Sequence, residues 1–443
     1  MSGREVTSSS TRICSGVKMT RRPIAAIVVF VVSAFTQEPT PILPGVERAI
    51  TTNHDLLKHL EFYTCRETIE RFQPGADGHP VVRDIVQVDV GVGAKREMYS
   101  WPGEANFSLM DLGGLVGHGL LATGLFSGFA KDLFVVDIRT VRPVGEEMLL
   151  GQRALQFSYQ VPPLNSQWQI RWNGETGQVG EDGQFWVNAE NYRLLRLRVS
   201  ALKIPPQLRL RSLNITLDYQ LVNNTLVPAR SSLDALEAGG AAFHNAAVFS
   251  DCHVFAVESK ILDSESATAT VLNEYKHQQP VISSGLTLRL QLNEQLSARD
   301  VIVGKLITAR LESTIKISPG RTLPEGSILR GRVRRFEKLD DPPNTYLVGL
   351  SFAEMDVDGQ TYRLSAELKS MERLAGIRTE ISRSRNESIA IGISPGRKVG
   401  RSPAAENDDL AAPVMPGAAV FFLTNTESIP KGFRMIWRTT KVK

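Results

Sequence analysis

The chain has 443 residues and a formal net charge of +4, with 51 Lys and Arg against 47 Asp and Glu. Residues 1–34 hold five basic side chains and one acidic side chain, so the rest of the chain carries 46 of each sign. Because the excess positive charge belongs to the leader, whole-chain charge gives no reason to expect a nucleic-acid partner. The remaining length of about 400 residues exceeds what one hydrophobic core usually serves, and two domains are expected.

Residues 1–34 have the pattern of a secretory signal peptide. Two arginines precede an apolar run, small residues follow it, and the Pro-rich segment 35–50 comes next. The run is shorter than the roughly 20 residues of a membrane span, and cleavage before Phe35 fits the pattern. The sequence predicts export to the periplasm or the outer membrane, with an uncleaved N-terminal anchor as the alternative. Either Met1 or Met19 can be the start.

Residues 51–265 read as one β-rich domain. The segment TTNHDLLKHLEF predicts a short helix capped by Thr52 or Asn53. Strand-like segments with alternating apolar residues follow, including VVRDIVQVDVGV, RALQFSYQV and LNITLDYQLV. Links rich in Asn or Gly separate them, which is typical of a meander of antiparallel strands.

Between the strands lies the apolar, glycine-rich segment 110–134, MDLGGLVGHGLLATGLFSGFAKDLF. Glycine raises the conformational freedom of the backbone, so we expect either a loose helix or a lid-like loop. Its apolar side chains are candidate ligand contacts of a cavity plug: Leu115, Leu120, Leu121, Leu125, Phe126 and Phe129.

Two cysteines follow the leader, Cys65 and Cys252. A single even pair in an exported chain favours a disulfide bond, and two separately buried thiols are the alternative. Cys65 falls in the first predicted strand of the domain and Cys252 in the last. A bond between them is therefore expected to hold together the free ends of an open sheet.

A predicted linker at 266–282 is followed by a second region, residues 283–443. Its predicted strands are short, and each of several follows a turn that contains glycine. The pair Asp358-Gly359 predicts a hairpin turn, and the whole pattern predicts a small β-barrel. The segment 394–417 is rich in Ser, Pro and charged residues and is expected to be a disordered loop.

Three arginines of this second region, Arg330, Arg332 and Arg334, share one face of a predicted strand. They are candidate ligands for an anion such as a phosphate or carboxylate, and a solvated exterior is the alternative. Residues 35–270 have a net charge of −7 and residues 271–443 a net charge of +7. Either the two halves attract each other, or the basic half contacts an anionic surface such as phospholipid or another protein.

Motifs that carry catalysis are missing from the sequence. It contains no P-loop, no His-Glu-x-x-His and no Cys-x-x-Cys. GHGLLA at 117–122 matches the dinucleotide fingerprint only formally, because no parallel βαβ unit surrounds it. The sequence predicts no enzyme, with no catalytic residue, no metal and no cofactor.

The order of a short helix, YTCRETIERF as first strand and a long meander with an apolar insert resembles the LolA-like lipoprotein-carrier fold. A group of exported proteins of soil bacteria with such a domain has phrases similar to YTCRETIERF, REMYSWPG, GQFWVN, LRLRVSA and FSDCHVF. The resemblance covers residues 50–265 and implies an incomplete barrel whose concave side is plugged by helices and holds acyl chains. The second region resembles the periplasmic β-barrel of conjugation-type secretion scaffolds. The resemblance lies in the order of three segments, GLTLRLQL, SARDVIVGKLITARLE and LPEGSILRGRVRRF.

The expected fold is mainly β, with a curved antiparallel sheet that forms an incomplete barrel with a helical plug, followed by a small β-barrel domain. Two classes of function are consistent with it. The first is a non-enzymatic exported envelope protein that binds lipid or a lipidated partner in the curved sheet, with peripheral membrane contact. The alternative is a structural or interaction scaffold of the envelope that encloses no ligand.

Overall fold

The computed structural model describes residues 44–58, 60, 63–75, 80–93, 96–104, 107, 111–117, 119–135, 141–172, 174–254, 279–298, 300–318, 321–339, 344–378, 388–393 and 418–442. The predicted signal peptide 1–34 and loop 394–417 lie outside these residues, as do most of the two predicted linkers, 35–50 and 266–282. Within the described part of the chain, no helix is both long and apolar enough to cross a membrane.

The first helix, α1, runs from Pro44 to Leu57, so it begins inside the range predicted as linker. Proline suits a helix start, because its missing N–H would have no partner there. The predicted cap at Thr52 or Asn53 is wrong. Asn53 lies inside the helix and is fully buried. Its amide donates to the carbonyl of Tyr192 at 2.9 Å and accepts from the N–H of Leu194 at 2.7 Å, which fixes the helix to a turn of the sheet.

Within the described residues, the first sheet has ten strands in the order β3-β2-β1-β13-β12-β11-β10-β9-β6-β5. Neighbouring strands run antiparallel, and the sheet curls into a half-barrel, as the sequence predicted. The strand bounds are β1 Tyr63–Pro74, β2 Pro80–Gly93, β3 Arg96–Ser100, β5 Arg142–Leu149, β6 Gln152–Val161, β9 Gly180–Asn188, β10 Leu194–Leu202, β11 Leu210–Val222, β12 Thr225–Glu237 and β13 Ala242–Val254.

The alternation of residues in β1 and β2 decides which side chains face the core. From Cys65 onward the buried positions of β1 are Cys65, Glu67, Ile69 and Arg71, and even-numbered positions from 84 to 92 are buried in β2. Successive side chains of a strand point to opposite faces, so these residues line the concave side. Against them pack α1 and the short elements α2 Leu112–Val116, β4 Gly119–Ala122 and α3 Gly128–Phe134.

The second half forms another antiparallel sheet, which in the described residues has the order β22-β27-β14-β16-β19-β20-β25-β23, with β21 on β20. The Asp358-Gly359 turn has positive φ at both residues, 49° and 79°, and joins β20 to β21 as predicted. Closure of this sheet into a barrel stays a prediction. The strand bounds are β14 Thr287–Leu292, β16 Leu306–Leu311, β19 Ile328–Leu339, β20 Thr345–Val357, β21 Gln360–Arg363, β22 Ser365–Met371, β23 Ile377–Arg378, β25 Ala418–Thr424 and β27 Arg434–Thr440.

Shorter strands complete the fold of the described residues. β17 and β18 form a short antiparallel pair, β15 pairs with the distant β26, and β7, β8 and β24 form a separate sheet with β4. The bounds are β7 Trp168–Trp172, β8 Glu175–Gln178, β15 Leu296–Ser297, β17 Ile315–Ser318, β18 Arg321–Leu323, β24 Ser388–Ile393 and β26 Ser428–Ile429.

The two halves are in direct contact within the single compact unit Leu43–Lys443. The backbone of Val303 pairs with β2 through Gln87 N–H to Val303 O at 2.9 Å and Val303 N–H to Ile85 O at 2.8 Å. A buried ion pair lies beside this contact, where Arg83 Nη2 is 2.5 Å from Glu337 Oε1. Burial lowers the pKa of Arg83, and the Glu337 carboxylate opposes that shift. Opposite charges therefore meet across the contact.

A disulfide bond joins Cys65 to Cys252, as predicted, with the two Cα atoms 4.1 Å apart. The expectation that it holds the free ends of an open sheet is wrong. β1 and β13 are hydrogen-bonded neighbours, with Thr64 opposite His253, and the ends of the sheet are β3 and β5. Alternation within a segment identifies a strand but not its partner strand. The pairing of β1 with the distant β13 could therefore not be predicted from the sequence.

Replacing both Cys65 and Cys252 with alanine should lower the free energy of unfolding by about 2–4 kcal/mol, since the bond closes a long loop in the unfolded chain. The two cysteines are 187 residues apart in sequence. Urea unfolding followed by tryptophan fluorescence measures the change, and the reduced wild-type protein should lose a similar amount. Equal stability of the oxidised, reduced and alanine proteins would contradict the prediction.

Candidate functional site: a cavity under a glycine-rich plug

We call residues 111–117 and 119–135 the plug segment. Asp111 caps α2 by accepting a hydrogen bond from the Gly114 N–H at 2.7 Å. Gly117 ends α2 with φ 81°, a left-handed conformation that favours glycine. The six side chains predicted as cavity contacts are all buried, none more than 6% exposed: Leu115, Leu120, Leu121, Leu125, Phe126 and Phe129. Their role as ligand contacts stays a prediction.

Aromatic contacts fix the plug segment against the concave face. The Phe126 ring lies 6.2 Å from that of Phe249 on β13. The Phe129 ring meets Trp168 edge to face at 5.4 Å. Such pairs contribute beyond the area that they bury, so the segment is held as a packed part of the core.

The carboxylate of Glu97 on β3 anchors the turn before α3. One oxygen accepts from the Gly124 N–H and from the Tyr99 hydroxyl, each at 2.6 Å. The other accepts from the Ser127 N–H at 2.7 Å. Hydrogen bonds to an ionised acceptor are stronger than neutral ones. Glu97 therefore ties the plug segment to the edge region of the first sheet.

A strand from the second half also holds the plug segment. β24 pairs in parallel with β4, with Ser388 opposite Gly119, and antiparallel with β7, with Ile391 opposite Ile170. β4 thus becomes the edge of the four-stranded sheet β4-β24-β7-β8 within the described residues. The plug segment is connected to the first half through Glu97 and to the second half through backbone pairing.

A buried ion pair lies under β4. The Arg71 guanidinium donates to both carboxylate oxygens of Asp84, at 2.6 and 2.5 Å, and both side chains are about 1% exposed. A Cβ at position 119 would lie 2.3 Å from Arg71 Nη1, and Gly119 has φ 77°. Only glycine fits both the conformation and the close approach, so the backbone of the plug segment lies directly on the guanidinium.

Next to this ion pair, the plug segment covers a small cavity of about 10 Å³, roughly the space of one water molecule. Its floor comes from three neighbouring strands of the sheet, and its roof comes from the plug segment alone. The lining residues are Glu67 and Ile69 of β1, Ser231 and Leu233 of β12, Asn245 and Ala247 of β13, and Ala122 and Leu125 of the plug segment.

Two buried polar atoms at this cavity have no hydrogen-bond partner in the structure. They are Oε1 of Glu67, whose residue is 1% exposed, and Oδ1 of Asn245, whose residue is 5% exposed. The Asn245 amide nitrogen donates to the carbonyl of Leu120 in the plug segment at 2.9 Å. Because a carbonyl can only accept, this bond leaves the amide oxygen as the unpaired atom.

Burial raises the pKa of Glu67 to about 8, and the nearby Glu97 carboxylate adds to the shift. Removing a carboxylate from water disfavours its charged form, so Glu67 is mainly protonated at neutral pH. The cavity then presents an acid O–H that can donate and an amide oxygen that can accept. A small neutral group with both capacities complements it.

The arginines predicted to bind an anion point toward other parts of the chain. Arg330 lies 2.5 Å from Asp356 within its own sheet. Arg332 contacts Glu104 at 3.0 Å. Arg334 stacks over the Trp101 ring at 4.5 Å and donates to the Leu115 carbonyl of the plug segment at 3.1 Å. Burial lowers the pKa of Arg334 to about 10. Anion binding by these residues stays a prediction.

Several residues of the site were not singled out from the sequence: Glu67, Arg71, Asp84, Glu97 and Asn245. For Glu67 and Arg71 a signal existed, because both occupy core-facing positions in the alternation of YTCRETIERF. Charged residues are rarely fully buried unless paired, and such positions deserve notice in a strand. For Glu97 and Asn245 no local pattern distinguishes them from surface residues.

Among known proteins, only solved structures are similar to this chain. No protein-family model matches the chain, and no curated protein matches it. A crystal structure named as an outer membrane lipoprotein-sorting protein domain, from Vibrio parahaemolyticus, is similar with 12% identity over 51% of this chain and 96% of its own, at a TM-score of 0.28.

Two further crystal structures are similar at the same level. A DUF1329 family protein from Desulfovibrio piger has 14% identity over 50% of this chain and 97% of its own, with a TM-score of 0.29. A LolA superfamily protein from Nitrosomonas europaea has 11% identity over 49% and 97%, with a TM-score of 0.26. The fold assignment here rests on the strand order and burial described above.

Glu67→Gln should remove a pH dependence of stability. The folded-state pKa of Glu67 is about 8, above the ordinary value of 4.5. Between these two pH values the folded protein keeps a proton on Glu67 that the unfolded chain has lost. The free energy of unfolding of the wild type therefore falls as pH rises from 4.5 to 8. The measured quantity is the free energy of unfolding of the variant minus that of wild type. This difference should be roughly 3–5 kcal/mol larger at pH 8 than at pH 4.5.

Urea unfolding at several pH values measures this difference. Burial also raises the pKa of Glu181 to about 7 and of Asp132 to about 6. Both groups remain in the two proteins, so subtraction cancels their contributions. A stability difference between wild type and Glu67→Gln that stays constant with pH would contradict a buried, protonated Glu67.

Glu97→Gln should loosen the plug segment, because glutamine presents one acceptor oxygen where the carboxylate uses two. Amide hydrogen exchange at residues 124–130 should become at least about tenfold faster, while the central strands keep their protection. Glu146→Gln is the matched control, since Glu146 is exposed and pairs with Arg153 on the surface. Unchanged exchange in Glu97→Gln would show that packing alone holds the segment.

Proposed function

We propose that the chain is a non-enzymatic exported envelope protein that binds an acyl chain, from a lipid or a lipidated partner, between the concave face of the first sheet and the plug segment. The observation that carries this proposal is the cavity whose roof consists of the plug segment alone. Its lining is mostly aliphatic, as for sites that hold apolar ligands. The LolA-like resemblance of residues 50–265 points in the same direction.

The size of the cavity sets a condition on this function. A volume of about 10 Å³ holds one water-sized group, so an acyl chain enters only when the plug segment moves. The segment contains glycines at its turns, which suits such movement. Opening breaks its hydrogen bonds with Glu97 and Asn245 and its strand pairing with β24. The bound chain would occupy the space of Ala122 and Leu125.

Native mass spectrometry of the protein purified from its own host tests the proposal. The expected result is a population carrying the mass of one lipid. Ala247→Leu, which fills the cavity floor, should reduce that population several-fold. Ala242→Leu in the same strand is the matched control, because Ala242 is exposed, and it should leave the population unchanged.

Two results would contradict acyl binding. One is a wild-type protein that carries no lipid from its host and binds no added acyl chain. The other is an equal lipid population in wild type and Ala247→Leu, which would put the lipid elsewhere. A fixed stoichiometry with another protein and no lipid would favour the scaffold alternative.

A further inference from the structure

The unpaired polar atoms under the plug segment require an explanation that an acyl cavity alone does not give. A purely apolar ligand would leave Glu67 Oε1 and Asn245 Oδ1 buried without partners, as they are in the closed structure. Each such atom costs the free energy of removing it from water. A ligand that supplies a hydrogen-bonding group at this point would recover that cost and be selected over one that does not.

We propose that the cavity formed by Glu67, Ser231 and Asn245 is a subsite for a hydroxyl group carried on an aliphatic chain. This inference rests on the proposed function, since the chain itself needs the space that the plug segment vacates. The hydroxyl donates to Asn245 Oδ1 and accepts from the carboxylic acid of Glu67. The chain then extends along the aliphatic residues Ile69 and Leu233.

Three features of the cavity favour a hydroxyl over other polar groups. Its volume matches one oxygen-sized group. The residues of both unpaired atoms line this cavity. In the β1–β13 pair Glu67 lies opposite Phe249 and Asn245 opposite Arg71, with Ile69 opposite Ala247 between them. Hydroxyls both donate and accept, whereas an ether or an ester only accepts and cannot satisfy the Asn245 oxygen.

Charged groups fit the subsite less well. A phosphate or carboxylate would meet the Glu67 carboxyl group, and the nearest described cation, Arg71, is engaged by Asp84. An ammonium group can only donate, so it would leave the acid O–H of Glu67 without an acceptor, and it loses more hydration on burial than a hydroxyl does. The geometry therefore selects a neutral ligand group.

Competition binding with isomeric probes tests the inference on the full exported chain at neutral pH. n-Decanol and n-nonyl methyl ether have the same composition, but only the alcohol can donate a hydrogen bond. Displacement of a fluorescent apolar probe should show n-decanol binding roughly tenfold more tightly than the ether. A second pair, methyl β-hydroxydecanoate and methyl decanoate, asks whether a hydroxyl within the chain is accepted as well as one at its end.

Asn245→Leu should reduce the preference for n-decanol over the ether to about one, because only the alcohol can donate to the Asn245 oxygen. Glu67→Leu should weaken binding of both ligands, because both ligand oxygens can accept from the carboxylic acid. Ala242→Leu, on the exposed side of β13, should keep the wild-type preference. If Asn245→Leu does not fold, the wild-type ratio decides alone.

Equal affinity of the wild-type protein for the two isomers would overturn the hydroxyl subsite and leave the acyl-binding proposal intact; the cavity would then hold only a structural water. Tighter binding of decylammonium than of n-decanol would also overturn it. Binding of none of these chains would refute both proposals together.

Discussion

The pairing of β1 with β13 places Ile69 opposite Ala247 and Arg71 opposite Asn245, and β12 continues the row with Leu233 opposite Asn245. The first strand and a hairpin that is distant from it in sequence thereby present their core-facing residues as one continuous surface. The disulfide bond, the Arg71 side of the buried ion pair and the cavity floor all lie on these strands. A shift of one residue in this register would turn every one of these side chains to the opposite face.

The concave face carries an unusual amount of buried charge for a surface covered by aliphatic and aromatic residues. Arg71 and Asp84 compensate each other through two hydrogen bonds, and the protonation of Glu67 avoids a second buried charge. Buried ion pairs contribute little net stability, because their desolvation offsets their attraction. Their effect here is to define position: the guanidinium fits only against a glycine backbone, and this fixes where β4 can lie.

Much of the fold was accessible from the sequence, because alternation at period two is a local property. It identified β1, β2 and the strands that follow, and the Asp358-Gly359 turn was identified by its backbone preference. Strand pairing across long separations was not accessible, which explains the error about the ends of the sheet. The start of the first helix was predicted several residues after its true start at Pro44. Asparagine is a common N-cap residue, and only the contacts of Asn53 with Tyr192 and Leu194 show that it is buried inside the helix. In the candidate site, composition indicated an apolar insert, and of the six predicted contacts Leu125 lines the cavity. Glu97 and Asn245 acquire their roles from distant neighbours.

The parallel pairing of β4 with β24 has a consequence for the order in which the molecule is completed. β4 lies in the first third of the chain, and its partner begins at Ser388, after nearly all other described strands. Joining such distant segments has a large loop-closure entropy, so this pair forms late compared with the local hairpins of the first sheet. Until that pair forms, the plug segment has only its contacts with the first half, which include those to Glu97, Phe249 and Asn245. The carboxy-terminal part of the chain therefore adds the last backbone restraint on a cover that the first half has already placed.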